Sequence, residues 1–159
     1  MSEPSPGFWE PKEIRRFVSN HESSTQVIRV NTDLGEGYLK AMGNPEGEPA
    51  LACEWVGTQL ARWFKLPTFQ FGIIDVAAID DLSFHRGGKP TPGPAFITKA
   101  EDGETWGGKK RELSRLINPN DITRLVIFDT WVFNMDRYFA RPDMSVRCNK
   151  NNVFLSEAK

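Results

Sequence analysis

The sequence predicts an α+β fold in two lobes, the first rich in strands and the second opening on a helix. Three observations carry this. Alternating runs flank the glycine turn Gly35-Glu36-Gly37, an apolar stripe of helical period follows Pro49, and Asn118-Pro119-Asn120-Asp121 opens a capped helix. With 159 residues, 39% hydrophobic and 26% charged, the chain is long enough for one core or two small ones.

In chain order, residues 1–22 read as an N-terminal tail and a short helix: a loose Pro-, Ser- and Gly-containing start, then Pro11 to Val18 as a helix or extended entry. The runs Thr25 to Asn31 and Tyr38 to Met42 form a hairpin. Gly43 to Glu48 breaks the second strand, and Pro49 opens a helix with Cys53, Val56, Leu60, Trp63 and Phe64 along its apolar stripe. Leu66-Pro67 closes that helix, Phe69 to Val76 reads as a strand, residues 80–94 as a loop, and Pro94 to Lys99 as a second short strand. The turn-rich stretch Glu101 to Gly108 reads as a hinge, which gives a first lobe over 23–104 and a partial second lobe over 105–159. In the latter, Asn118 is the predicted cap and Pro119 the first helical residue, ahead of Ile122, Leu125, Val126, Val132 and Phe133 at helical spacing. This helix delivers Asn134 and Asp136 at its C-terminal end, and Asn152 precedes a last apolar strand.

Charge and composition exclude several function classes. Lys and Arg number 20 against 21 Asp and Glu, a net charge of -1, so direct nucleic-acid binding is not expected. Charges interrupt the first twenty residues and no apolar run reaches membrane-spanning length, so neither a signal peptide nor a membrane association is expected. Cys53 and Cys148 lack the paired spacing of a zinc or redox motif, which points to a reduced, cytoplasmic protein. Gly87-Gly88-Lys89-Pro90 and Gly107-Gly108-Lys109-Lys110 lack the earlier glycine and the following Ser/Thr of a Walker loop. His21 and His85 have no partner at metal or triad spacing.

The residues that fit a chemistry run from Asp129 to Leu155. Asp136 is suited to orient or deprotonate a hydroxyl and Asn152 to hold a metal on a triphosphate, the division of labour in a kinase catalytic loop. Such a loop needs a strand lysine on the phosphates and a helix glutamate paired with it; Lys40 and Glu54 stand at suitable places, though two solvated surface charges are the plain alternative. Glu54 lies beside the apolar stripe, and a partly buried carboxylate there requires a partner such as Lys40. Ser23, Ser24 and Thr25, ahead of the first hairpin strand, occupy the place of a phosphate-covering loop or form a plain Ser/Thr turn. Asp129, about two helical turns before Asp136, is placed either to brace the loop from behind or as a surface acid. Arg137 has Asp136 or a phosphate as its partners, or stands free as a surface arginine.

Taken together these pieces resemble the HipA-like bacterial kinases, a branch of the protein-kinase-like fold. The matching segments are Tyr38-Leu39-Lys40 with Gly43-Asn44-Pro45-Glu46-Gly47, Ala52-Cys53-Glu54-Trp55-Val56 with Leu60-Ala61 and Leu66-Pro67, Phe128 to Arg137, and Asn152-Val153-Phe154-Leu155. The resemblance implies a protein-kinase-like N-lobe of hairpin, helix and strands plus the first part of a helical C-lobe, using ATP and magnesium. It implies Lys40 on the ATP phosphates, Glu54 as its ion-pair partner, Asp136 as the catalytic aspartate flanked by Asn134 and Arg137, and Asn152 as a magnesium ligand. Ser23, Ser24 and Thr25 match the family's phosphate loop, which in some members is itself phosphorylated and ejected.

Two departures from the family pattern stand out. The family places its aspartate and metal asparagine about five residues apart, whereas here residues 139–151 intervene, as an insertion or as drift of the loop, with Asn149 and Asn151 as rival ligands. The family also carries a metal-binding aspartate on a following strand; the only aspartate after Asp136 is Asp143, before Asn152, so the chain reads as ending within a hairpin. The expected function is ATP- and magnesium-dependent phosphorylation of a hydroxyl on a protein substrate the sequence does not identify, with an incomplete site. The alternative is a non-catalytic nucleotide-binding or interaction module, a pseudokinase or half of a split kinase. An unpaired final strand edge and an uncovered helix face favour a second chain that completes the C-lobe, or self-association.

Overall fold

The computed structural model describes residues 7–78, 82–134, 137–140, 146–148 and 152–156, with backbone alone for 138–140 and 146–148. Asp136, Asp143, Asn149 and Asn151 lie outside the described residues. The chain divides into two units, Met1–Arg62 with Thr68–Ala100 and Trp63–Pro67 with Glu101–Lys159.

Alternation builds the first unit. Ile28, Val30 and Thr32 on β2 (Ile28–Thr32) and Gly37 and Leu39 on β3 (Gly35–Lys40) are buried at every second position, the period of a strand with one face in a core. Leu39 faces Ile28 on one side and, across β5 (Gly93–Lys99), Ile97 on the other. β4 (Phe71–Val76) adds Ile74 and Val76, and β1 (Ile14–Asn20) pairs with β2. The result is a five-stranded sheet in the order β1-β2-β3-β5-β4 with all pairs antiparallel, an α+β architecture. Leu82 and Phe84 from the connection before β5 close the same core.

The opposite face carries Lys40, Phe96 and Ile73, which are neighbours across β3, β5 and β4. Against it lies α1 (Glu48–Trp63), meeting Phe71 through Trp55 at a ring separation of 5.4 Å. The stripe expected from hydrophobicity is only partly covered: Cys53, Val56 and Trp63 are exposed, Leu60 and Phe64 are half-buried, and no residue of α1 is fully buried. Trp55 and Arg62 make the contacts instead, because an indole and the stem of an arginine bury well while scoring poorly as apolar.

The entry segment is the larger correction. Where a loose tail and then a short helix or extended entry were expected, the extended alternative holds: Ile14–Asn20 is strand β1, interrupted by two register shifts. It pairs the outer edge of β2, whose ladder groups would otherwise go unmet. Ahead of it Trp9 is 6% exposed, its ring over Gly37 and its backbone over Gly72. A Cβ on Gly72 would stand 2.1 Å from the Trp9 carbonyl oxygen, so Gly72→Ala is expected to destabilise by about 1–3 kcal/mol through overpacking. Urea denaturation checks this; an unchanged midpoint would contradict the close approach.

Asp33 ties the same entry to the hairpin. Its Oδ1 accepts the N–H groups of Lys12 (2.9 Å) and Glu13 (3.2 Å), while its own N–H donates to the Glu13 carbonyl. Desolvation pushes the carboxyl upward but is outweighed by the backbone donors of Glu13, Lys12 and Asp33 itself and by the charge of Arg15, so it titrates below the usual range. A depressed folded-state pKa stabilises above the unfolded value and is lost as pH falls through the folded one. Wild type is therefore expected to exceed Asp33→Asn in stability at neutral pH and to lose that margin below about pH 4. Denaturant midpoints over a pH series measure it.

In the second unit, β6 (Gly103–Thr105) pairs antiparallel with β9 (Phe154–Ser156), and the Trp106 N–H donates to the Val153 carbonyl at 2.8 Å. The final strand thus has one neighbour within the chain, and part of the stretch read as a hinge is strand. A short α2 (Lys110–Leu113) precedes α3 (Asn120–Trp131). Pro119, rather than Asn118, is the cap residue, and the Asn118 amide bonds Asp121 Oδ2 at 2.8 Å. Along α3 the buried residues are Phe128 and Asp129, while Val126, Ile127 and Trp131 are exposed. Phe64 packs on Phe128, with ring centroids 5.9 Å apart, and on Trp131. Then β7 (Tyr138–Ala140) and β8 (Val146–Cys148) form an antiparallel hairpin.

No helix among the described residues is long and apolar enough to cross a membrane.

Candidate functional site

Strand alternation sends Lys40, the last residue of β3, to the face opposite buried Leu39. Two turns into α1, Glu54 meets it, and the Lys40 ammonium donates to Glu54 Oε1. Their side chains are 24% and 33% exposed. Neither is the fully solvated charge of the plain alternative. An ammonium has three donors and Glu54 takes one, so the pair forms a fixed, still reachable cation.

The turn between them sets the pairing. Asn44, 5% exposed, donates its side-chain amide to the Ala41 carbonyl at 2.7 Å and accepts the Glu46 N–H at 2.9 Å, while the Gly47 N–H reaches its carbonyl at 3.1 Å. Gly43, at φ +82°, lies so close to Thr91 that a Cβ would sit 2.7 Å from its hydroxyl. Asn44 was not singled out from the sequence for a role; the Gly-Asn-Pro grammar of a tight turn was the available signal.

Ser23, Ser24 and Thr25 lie in the loop between β1 and β2. Ser23 uses its hydroxyl to accept the Val27 N–H at 3.1 Å and its carbonyl to accept the Gln26 N–H at 3.2 Å, the local bonding of a Ser/Thr turn. Gln26, buried at φ 50°, accepts the Arg86 N–H at 2.9 Å, so side-chain bonds hold this loop in place of glycines. Ser24 is exposed and Thr25 half-buried.

Asp129 organises the second unit's residues. It projects from the buried side of α3 with its side chain 1% exposed, and Phe133 at φ 54° turns the chain back over it. Asn134 donates its backbone N–H to the Asp129 carbonyl at 2.8 Å and its amide to Oδ1 at 2.9 Å. Arg137 Nε donates to Oδ2 at 2.7 Å. Of the partners foreseen for Arg137, Asp136 is not described; the arginine is engaged by Asp129 instead and is 15% exposed. One of its two terminal nitrogens, Nη1, donates to the Asn152 carbonyl. Arg137 and Asn152, on either side of the β7–β8 hairpin, are thereby brought together.

The residues present fit a nucleotide at Lys40, whose oriented and partly exposed ammonium suits phosphate oxygens. For magnesium, Asn152 is exposed and described, and no group of three or more His, Cys, Asp or Glu gathers among the described residues.

No curated protein and no solved structure shows significant similarity to the chain. The sequence does match a family of HipA-like kinases over residues 15–158, which takes in both units, the Lys40–Glu54 pair and the Asp129 cluster. The chain belongs to the HipA-like kinase family.

Proposed function

We propose that this chain is an ATP- and magnesium-dependent kinase of protein hydroxyl groups, acting in the cytoplasm. The observation that carries the reading is the ion pair between Lys40 on the third strand and Glu54 on the following helix, in a chain of this family. In kinases that pair holds the lysine on the nucleotide phosphates. Glu54 acts by orientation: it holds the ammonium in one place, so that less rotamer freedom is lost when phosphate arrives.

Transfer then needs an acceptor for the hydroxyl proton. Asp136 has that role: the substrate oxygen attacks the γ-phosphorus, the bond to the bridging oxygen of ADP breaks, and the proton passes to the carboxylate. Asp129 holds Asn134 and Arg137, the residues flanking this aspartate, in a fixed turn. Magnesium, when bound, supplies charge neutralisation on the β- and γ-phosphates, and Asn152 is its proposed ligand.

Isothermal titration with ATP, with magnesium and then with chelator, tests the reading. Saturable, magnesium-dependent binding below millimolar concentration is expected; no binding at millimolar concentration would contradict nucleotide use. Binding without transfer to any protein would favour a nucleotide-binding module.

A further inference from the structure

We propose that Phe8 is a positioning residue for the Lys40–Glu54 pair, because it wedges the entry segment between α1 and β4 and so fixes the helix that carries Glu54. Its effect on nucleotide rests on the kinase reading; the clamp itself rests on geometry.

The helix needs such a device. No residue of α1 is fully buried, and beside its first turns a solvent-open cleft of about 360 Å³ is lined by Leu51 and Ala52 from the helix and Ile73 and Phe96 from the sheet. That half is not packed to the density of a core. Further along the packing changes. The Phe8 ring lies 6.2 Å from Trp55, the neighbour of Glu54, and 5.4 Å from Phe71. The Arg62 guanidinium stands 4.5 Å above Phe8 and 5.4 Å from Phe71, joining the far end of the helix to the same aromatic group.

The segment that presents Phe8 is itself anchored. Phe8 bridges Phe71 in parallel, with the Trp9 N–H on the Phe71 carbonyl at 2.8 Å and the Phe71 N–H on the Gly7 carbonyl at 3.3 Å. The Trp9 ring is sunk into the core on the other side of the sheet, over Gly37. Neighbouring residues thus grip the two faces of one sheet, and Phe8 is the one that faces the helix. Gly7 completes the fit: at φ +98°, a Cβ there would lie 3.0 Å from the Arg62 side chain.

The test compares wild type with Phe8→Ala and Phe8→Tyr in the full chain, using amide hydrogen exchange. Phe8→Ala is expected to speed exchange of residues 55–62 by about fivefold or more, with β2 and β3 unchanged, and Phe8→Tyr to restore it. Arg62→Met, which keeps the stem and removes the cation over the ring, is expected to give the same pattern more weakly. Unchanged exchange in α1, or equal acceleration of helix and sheet, would overturn the proposal. Phe8→Ala is also expected to weaken Mg·ATP about three- to tenfold, and to lose that effect in a Glu54→Gln background. A full effect persisting in Glu54→Gln would show that Phe8 does not act through Glu54. If wild type binds no nucleotide, the kinase reading fails while the exchange data still decide the clamp.

Discussion

Asp136→Asn is expected to lower phosphoryl transfer by about 10²–10⁴-fold, the contribution of a positioned general base, with Mg·ATP affinity changed by less than about threefold. An amide keeps the shape of the carboxylate but cannot take the substrate's proton. The split between binding and chemistry is the informative part, since a merely unfolded variant would lose both. Single-turnover transfer from radiolabelled ATP, in whichever assembly is active, reads it. Undiminished transfer would refute the assignment of Asp136.

Asp129→Ala is expected to destabilise the chain by about 3–5 kcal/mol, as when one partner of a buried ion pair is removed. Its side chain is 1% exposed and its two oxygens receive Asn134 and Arg137, so truncation strands a guanidinium that is itself only 15% exposed. Against an ordinary total of about 5–15 kcal/mol, this is a large fraction. Asp129→Asn keeps the acceptor oxygen for one donor and is expected to lose less. Denaturation with urea measures both; a loss below about 1 kcal/mol for the alanine variant would contradict the role of Asp129.

What the sequence made legible was mostly local chemistry. A glycine turn between alternating runs is a strong hairpin signal, and the hairpin is there, but its turn is Asp33-Leu34 and Gly35 to Gly37 already belong to β3. Lys40 and Glu54 were readable because a partly buried carboxylate beside an apolar face needs a cation, and the structure joins them. Asp129 was readable as a brace because a lone acid in an apolar helix needs a partner; which partner was not. Phe133 in the left-handed region turns the chain back so that Asn134 and Arg137 both reach it, and a non-glycine residue gives little warning of positive φ.

The entry segment was misread for a different reason. β1 is broken by two register shifts and carries Arg15 and Arg16 side by side, so no alternation marks it. Trp9 looked like part of a tail because its slot is made by Gly37 and Gly72, far away in sequence. Glycines inside strands do signal a close approach, but not of what. On α1, hydropathy selected Cys53, Val56 and Trp63, whereas the helix rests on Trp55 and Arg62 beside the aromatic rings of Phe8 and Phe71. The neighbourhood of Arg137 and Asn152 needed tertiary information of another kind: their contact spans the β7–β8 hairpin, and no local pattern announces it.

Lys40 as a phosphate ligand held by Glu54 is the centre of the proposed function. Titrating Mg·ATP into wild type, Lys40→Ala and, as a control for lost positive charge, Lys12→Ala tests this directly. Removing a charged hydrogen bond to phosphate is worth about 1.5–3 kcal/mol, so Lys40→Ala is predicted to weaken binding by about 10- to 150-fold, with Lys12→Ala indistinguishable from wild type. Equal affinity in Lys40→Ala and wild type would contradict the account.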